Sequence, residues 1–143
     1  RLSKDTPCGS FASVLTSVRP VFRVIAATVV PEAGALDEPA WTALESIVVD
    51  ALGARPPKLR RQLLLFIRLV EWLPMVRYGR RFTQLDAARR ARALHALQDA
   101  PLLLLRRGCW GLRTLILMGF YGRPDAWRQI GYRADPGGWE ARR

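Results

Sequence analysis

The sequence predicts an all-α protein, a single compact bundle of about five helices followed by an irregular, aromatic C-terminal tail. Apolar residues recur at three- and four-residue intervals through most of the chain, the spacing that places them on one helix face. Proline and glycine separate these periodic segments, and no alternating apolar and polar run competes with them. With 143 residues, half of them apolar, the chain suits one domain that buries a core of its own.

The N-terminal part divides into an arm and a helix. Residues 1–17 are small, polar and weakly periodic, and we expect them to form a flexible arm. The first predicted helix covers residues 19–30, because Pro20 is tolerated in a first turn and the apolar residues after it share one face. Pro31 ends this helix. The residues of the apolar face are Val21, Phe22, Ile25 and Val29.

Two further predicted helices begin at prolines. The second starts near Pro39, after a loop over residues 32–38, and ends at Gly53, since glycine is preferred at a helix C terminus. The third starts at residues 56–57 and ends at residue 72 or 73. Its apolar residues cover more than one stripe, which predicts that it contacts neighbours on two sides. The residues that widen the stripe are Leu64, Leu65, Leu69 and Trp72.

The fourth predicted helix follows a break at Pro74 and residues 77–81. Thr83 is its predicted N-cap, and Asp86 is the acidic residue of its first turn. It continues through Leu94 and Leu97.

The fifth predicted helix, residues 102–121, is the most apolar element, and a short turn over residues 125–129 follows it. Gly108, Gly111 and Gly119 lower its helix propensity but permit close backbone approach. Arginines at positions 106, 107 and 113 interrupt it, whereas a membrane-spanning helix needs about 20 mostly apolar residues. We therefore expect no membrane span.

No catalytic or metal-binding constellation is indicated. His95 is the only histidine, and a lone mid-helix histidine is interpreted as a solvated or packed residue. Cys8 and Cys109 lack the spacing of metal ligands, and the sequence leaves open whether they pair. We expect no enzyme activity, no catalytic residue, no metal and no cofactor in this chain alone.

The chain is strongly basic, with 23 Lys and Arg against 12 Asp and Glu and a formal net charge of +11. This charge suits nucleic-acid binding, an acidic partner protein or a solvated basic face. A basic helical nucleic-acid-binding protein is therefore the alternative function, although no recognition-helix motif occurs and the arginines spread over every helix. The clusters are Arg77, Arg80 and Arg81; Arg89, Arg90 and Arg92; and Arg106 and Arg107.

The segment of residues 120–132 is the most distinctive, because it places arginine between tyrosine and tryptophan side chains. This composition is typical of the side chains that anchor protein interfaces. An equally simple interpretation is that Trp127 and Ile130, one turn apart, close the end of the bundle. The candidate partner contacts are Tyr121, Trp127, Ile130, Tyr132, Trp110 and Arg123.

The residues Phe120-Tyr121, Pro124, Trp127 and Ile130-Gly131-Tyr132 resemble the closing motif of the gluconate 2-dehydrogenase subunit 3 family. Similar pieces run in the expected order from about residue 18 to residue 133, which defines a helical domain over 18–133 and a tail over 134–143. The other matching pieces are Ala27-Thr28-Val29-Val30-Pro31, Leu69-Val70-Glu71-Trp72-Leu73-Pro74, and Phe82-Thr83-Gln84-Leu85 followed by Arg89 and Arg92.

The resemblance implies a non-catalytic small subunit, bacterial in origin, that stabilises the large subunit of a flavin-dependent alcohol or sugar oxidoreductase of the glucose–methanol–choline type. The expected partner is that large flavoprotein subunit, which carries the FAD, in a heteromeric complex. Exported members carry a twin-arginine signal, so the location stays open between the cytoplasm and export. The resemblance also leaves open whether this chain is a separate subunit or a domain of a fused polypeptide.

Overall fold

The computed structural model of the protein describes residues 8–129 and residue 131. Within these residues all regular structure is helical, which confirms the all-α prediction. Five long helices and two short ones are joined by turns, two of which are 3₁₀ segments, Pro31–Ala35 and Phe82–Gln84. The α-helices are α1 (Cys8–Val29), α2 (Glu38–Gly53), α3 (Pro57–Trp72), α4 (Pro74–Tyr78), α5 (Ala87–Gln98), α6 (Leu103–Tyr121) and α7 (Pro124–Gln129).

Helices α1 and α6 are central to the bundle. Helix α6 contacts α1, α2, α3 and α5, and α1 contacts α2, α3 and α5 as well. The apolar face of each long helix turns towards this centre, so the core is continuous from α1 to α6. Its largest fully buried side chains are Phe22, Phe82, Ile25, Leu44, Ile67, Ile116, Val48 and Val70.

The first helix begins at Cys8 rather than at residue 19, so helix replaces the predicted arm over residues 8–17. Leu15 and Val18 are each 4% exposed and continue the buried stripe of Phe22 upstream. Pro20 consequently lies inside the helix, although an interior proline costs about 3 kcal/mol or more. Burial of the upstream apolar residues favours the helix against this cost.

The N-cap of α5 is Asp86 and not Thr83, so the predicted cap is wrong. The Asp86 carboxylate accepts a hydrogen bond from the backbone N–H of Arg89 at 2.8 Å. Thr83 lies instead in a 3₁₀ turn, where its backbone N–H and its hydroxyl donate to the buried carboxylate of Glu71 at 3.2 and 2.8 Å. Thr83 therefore links the 3₁₀ turn to α3 and does not cap α5.

The predicted connections contain more helix than expected. Residues 74–78, where a break was predicted, form α4, and Gly79 ends it with a left-handed backbone (φ 66°). The predicted turn over residues 125–129 belongs to α7, and a 3₁₀ turn occupies much of the loop over residues 32–38. The helices predicted at residues 39–53, 56–73 and 102–121 start and end within about one residue of the observed bounds.

Two glycines let α6 approach its neighbours closely, as the sequence predicted. A Cβ atom at Gly119 would lie 3.1 Å from the backbone oxygen of Leu44 on α2, and one at Gly108 would lie 2.6 Å from the ring of Phe66 on α3. Gly111 has nothing within 4 Å of such an atom, so it makes no comparable contact. Small residues at positions 108 and 119 therefore set the distance of α6 from α2 and α3.

A network of charged side chains joins α1 to α2. The buried Glu45 accepts from Arg23 Nε at 2.8 Å, and its other oxygen lies 3.0 Å from Arg19 Nε. Arg23 also contacts the exposed Glu38 at 2.7 Å, and this guanidinium holds the pKa of the Glu38 carboxyl below its usual range. The hydrogen bonds that Arg23 donates to Glu38 and Glu45 in turn raise the pKa of Arg23, which stays charged.

Alanine substitutions at Gly108 and at Gly111 of α6 should change stability in opposite directions. We expect Gly108→Ala to lower the free energy of unfolding by about 1–3 kcal/mol, because its methyl group would clash with the Phe66 ring. Gly111→Ala is the matched control and should raise it by about 0.5–1 kcal/mol, since alanine favours helix and meets no atom there. Urea denaturation measures both. An unchanged or raised free energy of unfolding in Gly108→Ala would contradict the close packing at position 108.

Removing the charge of Glu45 should weaken the α1–α2 contact. We expect Glu45→Gln to lower the free energy of unfolding by about 1–2 kcal/mol, because two guanidinium groups then share a neutral acceptor. Glu38→Gln is the control on the exposed side of the same network and should cause a smaller loss. Equal losses in the two variants would show that the burial of Glu45 does not strengthen its contribution to the free energy of unfolding.

Candidate functional site

One side of α6 presents a row of large side chains to solvent. Trp110 is 59% exposed, Met118 40% and Tyr121 48%, and the spacing of these positions places them on a single helix stripe. Leu103, half exposed, continues the stripe towards the N terminus of the helix. We call Leu103, Trp110, Met118 and Tyr121 the α6 face.

The opposite side of α6 is locked into the core. Cys109, Leu112, Ile116 and Phe120 are all at most 6% exposed. The helix therefore cannot rotate to bury the α6 face without exposing its core residues, which would cost roughly 1.5–3 kcal/mol for each large apolar side chain.

Neighbouring side chains contact the aromatic rings of the α6 face. The Tyr121 ring lies edge-on to Phe120, with centroids 5.1 Å apart and an interplanar angle of 87°. The guanidinium carbon of Arg113 lies 5.9 Å from the centroid of a Trp110 ring. These contacts restrict the rings before any partner binds, so less conformational entropy is lost on association.

Arg123 differs from the other candidate contacts because it is buried, at 4% exposure. Its Nε donates to the backbone oxygen of Phe120 at 3.1 Å, and its guanidinium carbon lies 4.7 Å from the centroid of that residue's ring. The positive charge of Arg123 at the C terminus of α6 also interacts favourably with the negative end of the helix dipole. Arg123 therefore stabilises the corner between α6 and α7 and presents no surface of its own.

The C-terminal candidates separate into described and undescribed residues. Trp127 on α7 is 40% exposed, whereas its neighbour Ala126 is 3% exposed and fills the position against the bundle. Ile130 and Tyr132 lie outside the described residues. The structure thus brings Trp110 and Tyr121 to one helix face, with Trp127 on the short helix that follows.

Groups with catalytic potential are dispersed. His95 is exposed on α5, and Cys109 is a free, buried thiol on α6 whose pKa is raised by burial. Residues 8–129 and 131 contain no group of three His, Cys, Asp or Glu side chains that could hold a metal ion. A cleft of about 140 Å³ lies between α3, α4 and α5, with a mainly apolar lining that includes Val70, Tyr78 and Leu97.

The arginines of the cluster at residues 89–92 make different contacts. Arg90 turns inward and donates to the backbone oxygens of Phe82 and Thr83, so it supports the 3₁₀ turn. The guanidinium carbons of Arg77 and Arg89 each lie 5.7 Å from the Tyr78 ring centroid. The three arginines predicted to crowd one turn of α5 therefore include at least one with a structural role.

No helix in the described part of the chain is long and apolar enough to cross a membrane. Compared with models of known protein families, with curated proteins and with solved structures, the chain matches none.

The buried thiol predicts a pH dependence. Because burial raises the pKa of Cys109 in the folded state, the unfolded chain loses this proton first as the pH rises above about 8.5. The free energy of unfolding should then fall with pH until the folded thiol also ionises. Cys109→Ala should remove this part of the slope, and urea denaturation from pH 7 to 10 measures the difference. Parallel pH profiles for the two proteins would contradict a raised pKa.

Proposed function

We propose that this chain is a non-catalytic, protein-binding subunit that docks through the α6 face and Trp127. Its proposed partner is the FAD-bearing large subunit of an alcohol or sugar oxidoreductase of the glucose–methanol–choline type. In this complex the partner holds the flavin and carries out the oxidation, and this chain stabilises it.

The observation that carries the proposal is the exposed row of Trp110, Met118 and Tyr121 on a helix whose other side is fixed in the core. Tryptophan, tyrosine and methionine are enriched at protein interfaces, and tryptophan and tyrosine are frequent among the residues that contribute most binding energy. A row of this kind in water leaves several large apolar surfaces unburied, and association with a protein removes them from solvent.

The choice of partner is supported by the resemblance to the gluconate 2-dehydrogenase subunit 3 family. Tyr121 and Trp127 belong to the closing motif on which that resemblance depends, and both are exposed. The net charge of +11 adds an electrostatic contribution, since a basic subunit associates faster with an acidic surface. Association should therefore slow as ionic strength rises.

The first test is native purification of the chain from its source cells, followed by mass spectrometry and an absorbance spectrum. A stoichiometric large partner with a flavin spectrum supports the proposal. A colourless preparation that carries nucleic acid and no protein partner contradicts it and favours the alternative of a nucleic-acid-binding protein.

Substitutions then test which surface of the chain binds the partner. We expect Trp110→Ala and Trp127→Ala each to weaken association by roughly 2–4 kcal/mol, because each removes a large exposed ring at the proposed contact. Trp72→Ala is the matched control, since Trp72 is 53% exposed but lies on α3. Titration calorimetry with the purified partner measures the dissociation constants. Equal effects of the three substitutions, or none, would contradict docking through α6.

A further inference from the structure

A second unpartnered surface lies on α3 and α4, remote in sequence from the α6 face. Leu65 is 63% exposed, Leu69 38%, Trp72 53% and Val76 90%. The sequence predicts that Leu64, Leu65, Leu69 and Trp72 widen the apolar face of the third helix and that this helix contacts neighbours on two sides. Helix α3 does contact both α1 and α6, and Leu64 packs against the core, whereas Leu65, Leu69 and Trp72 face solvent. We call Leu65, Leu69, Trp72 and Val76 the α3–α4 face.

The α3–α4 face is one continuous stripe. Its members follow one another at intervals of four, three and four residues, which keeps them on one side of a helix. Leu73, between the two helices, keeps helical backbone angles (φ −57°, ψ −39°), and its N–H donates to the Leu69 oxygen at 2.8 Å. The stripe therefore passes from α3 into α4, while Phe66, Ile67 and Val70 face the core.

The segment that carries this stripe is strongly basic. Residues 55–81 contain eight basic residues and a single acidic one, Glu71, whose buried carboxylate already accepts two hydrogen bonds from Thr83. Arg61 and Arg68 lie on the same side of α3 by their spacing, and Arg81 places its guanidinium carbon 4.9 Å from a Trp72 ring centroid. The basic residues are Arg55, Lys58, Arg60, Arg61, Arg68, Arg77, Arg80 and Arg81.

We infer that the α3–α4 face binds the surface of an anionic lipid bilayer. Leucine, valine and tryptophan side chains on one helix side enter the boundary between headgroups and acyl chains, and tryptophan favours this depth. The surrounding arginines contact lipid phosphates, which the guanidinium group binds in a bidentate manner. The chain then lies on the membrane through one face, and none of its described helices has to cross it.

Other occupants fit the charge and the apolar surface less well. A second copy of this chain would bring two strongly basic faces together, and like charges in contact oppose association. A nucleic acid would neutralise the arginines but leave Leu65, Leu69 and Val76 in water. An anionic bilayer satisfies both parts of the surface at once.

The test is flotation of the full-length chain with vesicles of phosphatidylcholine alone or mixed with phosphatidylglycerol. We expect binding to the anionic vesicles that weakens with added salt, and little binding to the neutral ones. Failure to float with anionic vesicles, or equal binding to both kinds, overturns the proposal.

Substitutions that remove charge show which arginines contribute to vesicle binding. Arg61→Gln combined with Arg68→Gln should weaken the partition coefficient about fivefold for each arginine removed. Arg106→Gln combined with Arg107→Gln removes the same charge from α6 and serves as the matched control. If both pairs weaken binding equally, the chain is held by its overall charge, and the assignment to α3 and α4 is wrong.

Apolar variants test insertion. Val76→Glu should weaken the partition coefficient roughly tenfold or more, because it places a carboxylate at the most exposed point of the face. Leu104→Glu is the control, since Leu104 is 79% exposed on α6. Circular dichroism verifies that each variant folds. Binding to soluble polyglutamate that Val76→Glu abolishes, without binding to vesicles, would indicate an acidic protein partner and overturn the proposal.

This inference is independent of the proposed function. Docking on a flavoprotein uses α6 and α7, whereas membrane binding uses α3 and α4, so each set of variants serves as a control for the other. Loss of flavoprotein binding in Trp110→Ala with unchanged flotation separates the two surfaces.

Discussion

The close approach of α6 to α2 and α3 determines the rest of the structure. At Gly108 and Gly119 there is no room for a side chain, so the helix axis is fixed by contact with Phe66 and with the backbone of Leu44. With the axis and the inward residues fixed, the outward residues of α6 have no freedom to turn inward. The same contact orients α3, whose core side packs on α1 and α6 while its other side faces solvent. Both candidate surfaces are consequences of this packing.

Local signals were sufficient for three of the five long helices. Proline near the starts of α2 and α3, Gly53 at the end of α2 and the long apolar run of α6 are local signals, so their effect can be predicted from sequence. The start of α1 depends instead on burial of Leu15 and Val18, and the choice between Thr83 and Asp86 as an N-cap depends on Glu71 from another helix. Contacts between residues distant in sequence determine both the start of α1 and the N-cap of α5, and apolar periodicity gives no information about such contacts.

The candidate site shows the same division. Composition indicated Tyr121 and Trp127 in the segment of residues 120–132, Trp110 was a further candidate on the fifth helix, and all three side chains are exposed. Arg123 belonged to the same segment, but a single hydrogen bond and a ring contact place it inside the chain. The wide apolar surface of α3 was recognised in the sequence, yet periodicity identifies which side of a helix is apolar and not what covers it. Met118, part of the row on α6, could have been found by its spacing from Trp110 and Tyr121.

The central position of α6 has a consequence for the order in which the chain folds during synthesis. Helices α1 to α5 leave the ribosome before α6, although α6 covers the apolar sides of α1, α2, α3 and α5. The ion pairs of Glu45 can join α1 and α2 early, because all of their residues have then been translated. Leu44 and Val48 cannot pack against Gly119 before α6 is translated, so the nascent chain exposes these core residues until then. Apolar surface exposed in this way during synthesis is prone to aggregation, which is the hazard that chaperones counter.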